Sequence, residues 1–197
     1  CWTLNSMFFE SAGKKVGSLS VNYLRLFVAF TLLSATALGT RGLLFPTDAT
    51  GYTWFWLMIS GLFGFVLGDI FLFEALVQIG ARISLLIMSA APPIAALLGF
   101  LIMGERLSLL NLLGMFVTML GISLVILSRN PDEKRVKFNR PMKGLIYAGL
   151  GSLGQALGLI FSKYGMGTYN PLAATQIRQI AAFLAFTIII TVKKKWP

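Results

Sequence analysis

Residues 68–128 read GDIFLFEALVQIGARISLLIMSAAPPIAALLGFLIMGERLSLLNLLGMFVTMLGISLVILS. Two short breaks, at Gly80–Arg82 and Gly104–Arg106, divide this stretch into apolar runs. Each run is near the ~20 residues that cross a ~30 Å hydrocarbon core as helix. Runs of this kind recur along the chain at 19–40, 53–79, 83–103, 107–128, 144–162 and 172–192, and residues 1–9 read as the tail of another. The chain is 56% hydrophobic and only 12% charged, against about 25% charged in an average soluble domain. These features predict an integral membrane protein whose fold class is all-α, a polytopic transmembrane helix bundle of about six full spans. The chain opens on Cys1 and stops just after a basic anchor, so it is expected to continue at both ends.

Two absences restrict the chemistry. With no His and a single Cys, zinc sites of the usual ligand types, internal disulfides and Cys–His or Ser–His dyads are ruled out. No glycine-rich loop followed by Lys-Ser or Lys-Thr is present, so neither a nucleotide nor any other cofactor is expected and an enzyme is disfavoured.

The formal net charge of +10 points to topology rather than to nucleic acid once each basic residue is assigned to a side. If successive runs cross the membrane, twelve fall on one face: Lys14, Lys15, Arg82, Lys193, Lys194, Lys195 and the six between Arg129 and Lys143. Only Arg41, Arg106 and Lys163 fall on the other. The positive-inside rule then places the loop 129–143 in the cytoplasm.

That loop is also the best boundary in the chain. Sliding the sequence on itself by 153 residues sets Phe8 over Phe161, Arg25 over Arg178, and Ala29-Phe30 over Ala182-Phe183. The expected organisation is a first repeat at 1–128, a basic connector at 129–143, and the start of a second repeat at 144–197. An odd number of spans in the first unit makes the second enter the membrane from the opposite side, an inverted repeat suited to alternating access.

The stretch 68–128, with its short turn, proline-bearing span, Gly104-Glu105 turn and glycine-spaced last span, resembles the EamA domain of the drug/metabolite transporter superfamily. "WTLNSMFF" at 2–9 is similar to the end of that domain's first helix. The resemblance implies a ten-span transporter of two inverted five-helix units in the cell membrane, of prokaryotic plasma-membrane type, that moves small metabolites or drugs, often outward. Its expected partners are a small-molecule substrate and membrane lipids, with a homo-oligomer left open.

Close packing is expected at Gly61, Gly64 and Gly68 in the 53–79 run, at Gly114 and Gly121 in the 107–128 run, and at Gly154 and Gly158 in the 144–162 run. Pro92 and Pro93 break the 83–103 run at its midpoint and free the carbonyls of Met88 and Ser89, a candidate cavity wall that Ser84 and Ser89 partly satisfy. Glu105 is expected to cap the helix that follows it.

Charges inside the spans are the strongest functional signal, since an ionised side chain near the bilayer centre costs roughly 2.5–3.5 kcal/mol. Counting ~1.5 Å per residue, Arg25 and Glu74 lie at one depth and are expected to pair. Asp69 falls near the bilayer centre with no cation at its depth. It is therefore expected to bind a proton, either as a coupling site or as a neutral packing residue. With Ser89, Pro92, Pro93, Gln155 and Arg178, these three form the candidate solute or ion pathway. An intramembrane enzyme would want acidic groups that cooperate, whereas Asp69 and Glu74 sit about 7.5 Å apart along the axis and about 140° around it. A non-transporting scaffold leaves the mid-span charges unexplained.

Overall fold

A computed structural model describes residues 8–9, 11–13, 15, 17–106, 108–127 and 142–193. The basic loop and the start of the chain, including Trp2 and Asn5, lie outside the described residues. Among the described residues six long helices follow one another: α1 (Ser18–Arg41), α2 (Gly51–Ile79), α3 (Ala81–Met103), α4 (Leu109–Leu127), α5 (Met142–Met166) and α6 (Pro171–Lys193). Among the described residues α1, α2, α3, α5 and α6 are each long and apolar enough to cross a membrane, and α4 contributes the apolar length Leu109–Gly121. The chain is a multi-pass membrane protein built as a helix bundle.

Local chemistry sets the helix ends. The Thr50 hydroxyl accepts from the Thr53 N–H at 3.3 Å to start α2. Asn170 accepts from the N–H groups of Leu172 and Ala173 to start α6, with Pro171 in the first turn where its missing donor is harmless. Gly80 alone joins α2 to α3, at φ 83°. That conformation is open to glycine and strained for a residue with a Cβ.

α5 is the hub of the bundle, packed against α2 on one side and α3 on the other. Its buried face is built from small residues: Gly144, Ala148, Gly151, Ser152, Gly154, Ala156 and Gly158. Lipid offers no hydrophobic drive for helices to associate, so close backbone approach has to supply the contact. A Cβ on Gly158 would stand 2.5 Å from the Gly64 Cα, and one on Gly154 2.9 Å from the Gly68 Cα. The Ser60 hydroxyl adds a bond to the Gly158 carbonyl at 2.5 Å. α6 packs across α1 and the outer part of α2, where Leu26, Val66, Ala182 and Phe186 form a shared core.

Three expectations are corrected. Gly114 and Gly121 have no described neighbour within 4 Å of a Cβ built on them. α4 stands at the rim with Leu110, Phe116 and Val117 outward, so among the described residues no helix packs on its glycines. Glu105 does not cap α4: its carboxylate pairs with Lys163 Nζ at 2.6 Å, and the Ser108 hydroxyl accepts from Asn111 N–H instead. Among the described residues the buried Ser84 hydroxyl has no hydrogen-bond partner. At the proline break, which falls at Ser89–Ala90, the Ser89 hydroxyl donates to the Leu86 carbonyl at 2.6 Å. Ser152, reaching over from α5, donates to the Ile87 carbonyl at 2.9 Å.

Candidate functional site

Halfway along α2 the winding changes. Leu62–Gly68 is a π-helical segment between two α-helical lengths, a feature that often marks functional sites. Its glycines admit α5 closely, and the Gln155 side-chain amide donates to the Gly64 carbonyl at 3.2 Å. The segment ends at Asp69, which is buried and directed at neighbouring helices.

Asp69 forms an ion pair with Arg25 of α1. Its other oxygen accepts from Gln155 Nε2 at 3.1 Å. Arg25 is held in turn by Asn22, whose side-chain oxygen accepts from Nε at 3.1 Å, and its guanidinium lies over the rings of Phe73 at 5.3 Å and Phe9 at 6.0 Å. Two consecutive helices, α1 and α2, and the distant α5 thus deliver one charge pair and the groups that orient it. Such a pair survives in low dielectric because hydrogen bonds occupy its remaining donors and acceptors.

This arrangement overturns the expected Arg25–Glu74 pair and the expectation that Asp69 lacks a cation. Arg25 lies seven residues into α1 and Asp69 ten residues before the end of α2, a backbone offset of about 5 Å at ~1.5 Å per residue. An arginine stem closes that gap. Glu74, five residues beyond Asp69 and about 140° around the helix, instead accepts from Gln78 at 3.1 Å.

Arg178 flanks the outer end of the π segment. Its backbone lies against Gly61, its guanidinium stacks on the Phe65 ring at 4.5 Å, and its Nη2 stands 3.1 Å from where a Cβ on Gly64 would be. Arg25 and Arg178 therefore bracket one short segment from its two ends. Ser89, Pro92 and Pro93 are outside this cluster, with Ser89 turned to its own helix. Among the described residues no group of three or more His, Cys, Asp or Glu could hold a metal ion.

A second polar set, unforeseen in the sequence, joins the two loops at the far end of the bundle. Arg41 donates to Asp48 at 2.6 Å and Tyr169 donates to its other oxygen at 2.8 Å, while the Arg41 guanidinium lies over the Tyr169 ring at 5.6 Å. The Tyr169 bond and then the Arg41 contact hold the Asp48 carboxyl below its ordinary range.

The sequence model of the EamA-like transporter family matches residues 1–127 of the 197. No curated protein and no solved structure matches the chain.

Proposed function

The chain belongs to the EamA-like transporter family, and we propose from that premise that it is a secondary transporter moving small solutes by alternating access through the Arg25–Asp69–Gln155 cluster. The observation that carries this reading is the placement of a buried ion pair where α1, α2 and α5 meet, beside a non-α turn. Intramembrane charges held by side chains from separate helices can exchange partners as those helices move, which a purely structural pair in one rigid unit does not need.

The direction proposed is outward, with proton exchange as the drive. A proton taken up by Asp69 cancels its attraction for Arg25 and loosens α1 from α2, so the occupancy of one carboxylate and the opening of one helix pair are coupled. Counterflow in proteoliposomes, using a panel of neutral, cationic and anionic metabolites, tests the transport step. Accelerated uptake of at least one solute is expected. Protein that is folded and moves none of them would contradict the reading. Asp69→Asn, which mimics the protonated state, is expected to retain exchange and lose proton-driven accumulation.

A further inference from the structure

Resting on the transporter reading above, we propose that Arg178 is the solute-binding cation of this site and that the solute it takes is a monoanion carrying a single carboxylate. The two repeat-related arginines are treated differently by the fold. Arg25 has an ion-pair partner, a hydrogen bond to Asn22 and two aromatic rings. Arg178 has the face of Phe65 and nothing for its donors: among the described residues it makes no hydrogen bond or ion pair, and its Nε is buried without a partner. A guanidinium carries five N–H donors in a fixed plane and accepts no bonds. A ring on its face leaves the donor edge free for an acceptor. The carboxylate that acts on Arg178 through space, Asp69, is already bonded to Arg25, and a cation inside a span without a bonded partner is costly, which is why such residues face partners or water-filled paths.

Charge selects the ligand. While Asp69 is ionised and paired with Arg25, the three charges of the cluster, Arg25, Asp69 and Arg178, together carry one net positive charge. A carboxylate monoanion brings that sum to zero and fits the guanidinium fork bidentately. A phosphate dianion would leave a net negative charge, a neutral amide would leave the cation unpaired, and a cation would worsen the imbalance. Gly64 belongs to the same site, since a side chain there would stand 3.1 Å from Nη2 and crowd the guanidinium.

The test measures thermal stabilisation of the purified protein in nanodiscs at constant ionic strength. The probes are propionate, butyrate and hexanoate, compared with butyramide, butylammonium and butyl phosphate. Stabilisation by a carboxylate and not by the amide is expected. Arg178→Gln should weaken that response about 10–100-fold in affinity, the range for a hydrogen bond to a charged group. Arg178→Lys should keep part of it, having the charge without the fork. Equal responses to butyrate and butyramide, preference for butyl phosphate, or a carboxylate response that survives Arg178→Gln would each overturn the assignment. Should Arg178→Gln fail to fold, the lysine variant and the carboxylate–amide contrast in the native protein decide. Counterflow separates the two readings. Transport restricted to neutral or cationic solutes sinks the carboxylate and leaves transport standing, whereas carboxylate binding without any counterflow leaves Arg178 as a binding residue and removes the transporter.

Discussion

At the residue scale the decisive contact is between Arg25 and Asp69. Removing one partner leaves the other as an unpaired buried charge, so Arg25→Gln and Asp69→Asn are each expected to cost roughly 3–5 kcal/mol, and the double variant less than their sum. Melting temperatures of the four proteins in nanodiscs measure the coupling. Strict additivity would show that the two side chains do not meet. The same cycle run with Glu74→Gln in place of Asp69→Asn should be additive. Arg25, Asp69, Gln155 and Arg178 were all legible in the sequence as polar groups with no ordinary reason to be in a span. Their pairing was not. Counting along a helix gives the depth of a Cα and says nothing about which way the side chain points, and two acids five residues apart face opposite sides. The Asp48–Arg41–Tyr169 set was illegible for a different reason: Arg41 ends α1 and Asp48 lies in the loop after it, whereas Tyr169 lies in a loop far along the chain, and no periodicity connects loops.

At the element scale the apolar runs coincide with the helices to within a few residues, because length and hydropathy are what the bilayer selects. Runs expected at 19–40 and 172–192 form helices at Ser18–Arg41 and Pro171–Lys193. Glycine spacing was a weaker guide, since it marks a face on which a helix can pack without showing whether one does. Gly158 and Gly114 separate the two cases. A methyl on Gly158 would press on the Gly64 backbone at 2.5 Å, where no flexible side chain can give way. Gly158→Ala is therefore expected to destabilise by about 1–3 kcal/mol, the usual cost of overpacking. Gly114→Ala meets no described atom within 4 Å and removes a flexible residue from a helix interior, so it should be neutral or stabilising by up to about 1 kcal/mol. Equal losses from both substitutions, read as thermal midpoints, would contradict the packing described for α5. The π-helical winding at Leu62–Gly68 had no sequence signal, because alternative windings of one apolar helix share one pattern of residues.

At the scale of the whole molecule, the 153-residue offset becomes a geometric statement. Ser18 plus the offset is Pro171, and these are the first residues of α1 and α6. The two helices pack with opposite sense: Tyr23 stacks on Phe183 at 5.0 Å near one end of the pair, and Ser34 meets Gln176 at 3.3 Å toward the other. Contacts that climb one helix while descending the other follow for any two helices five passages apart in a chain that crosses back and forth, and the inverted repeat stays a proposal that rests on the 153-residue offset. Orientation then follows from the basic residues. The loop from Thr47 to Asp48 and the basic loop that contains Asn139 lie on opposite faces if α1, α2, α3 and α4 cross in turn, and the twelve-to-three distribution predicts that Asn139 faces the cytoplasm. Single cysteines placed by Thr47→Cys and Asn139→Cys, in a background with Cys1→Ser, make this measurable. The exposed Thr47 position should react with an impermeant thiol reagent in intact cells, and the Asn139 position only in inverted vesicles. Labelling at Asn139 in sealed cells would reverse the orientation. Labelling of both positions in sealed cells would be incompatible with the crossings themselves, because an even number of membrane passages would then separate two loops that the helices α2, α3 and α4 place on opposite sides.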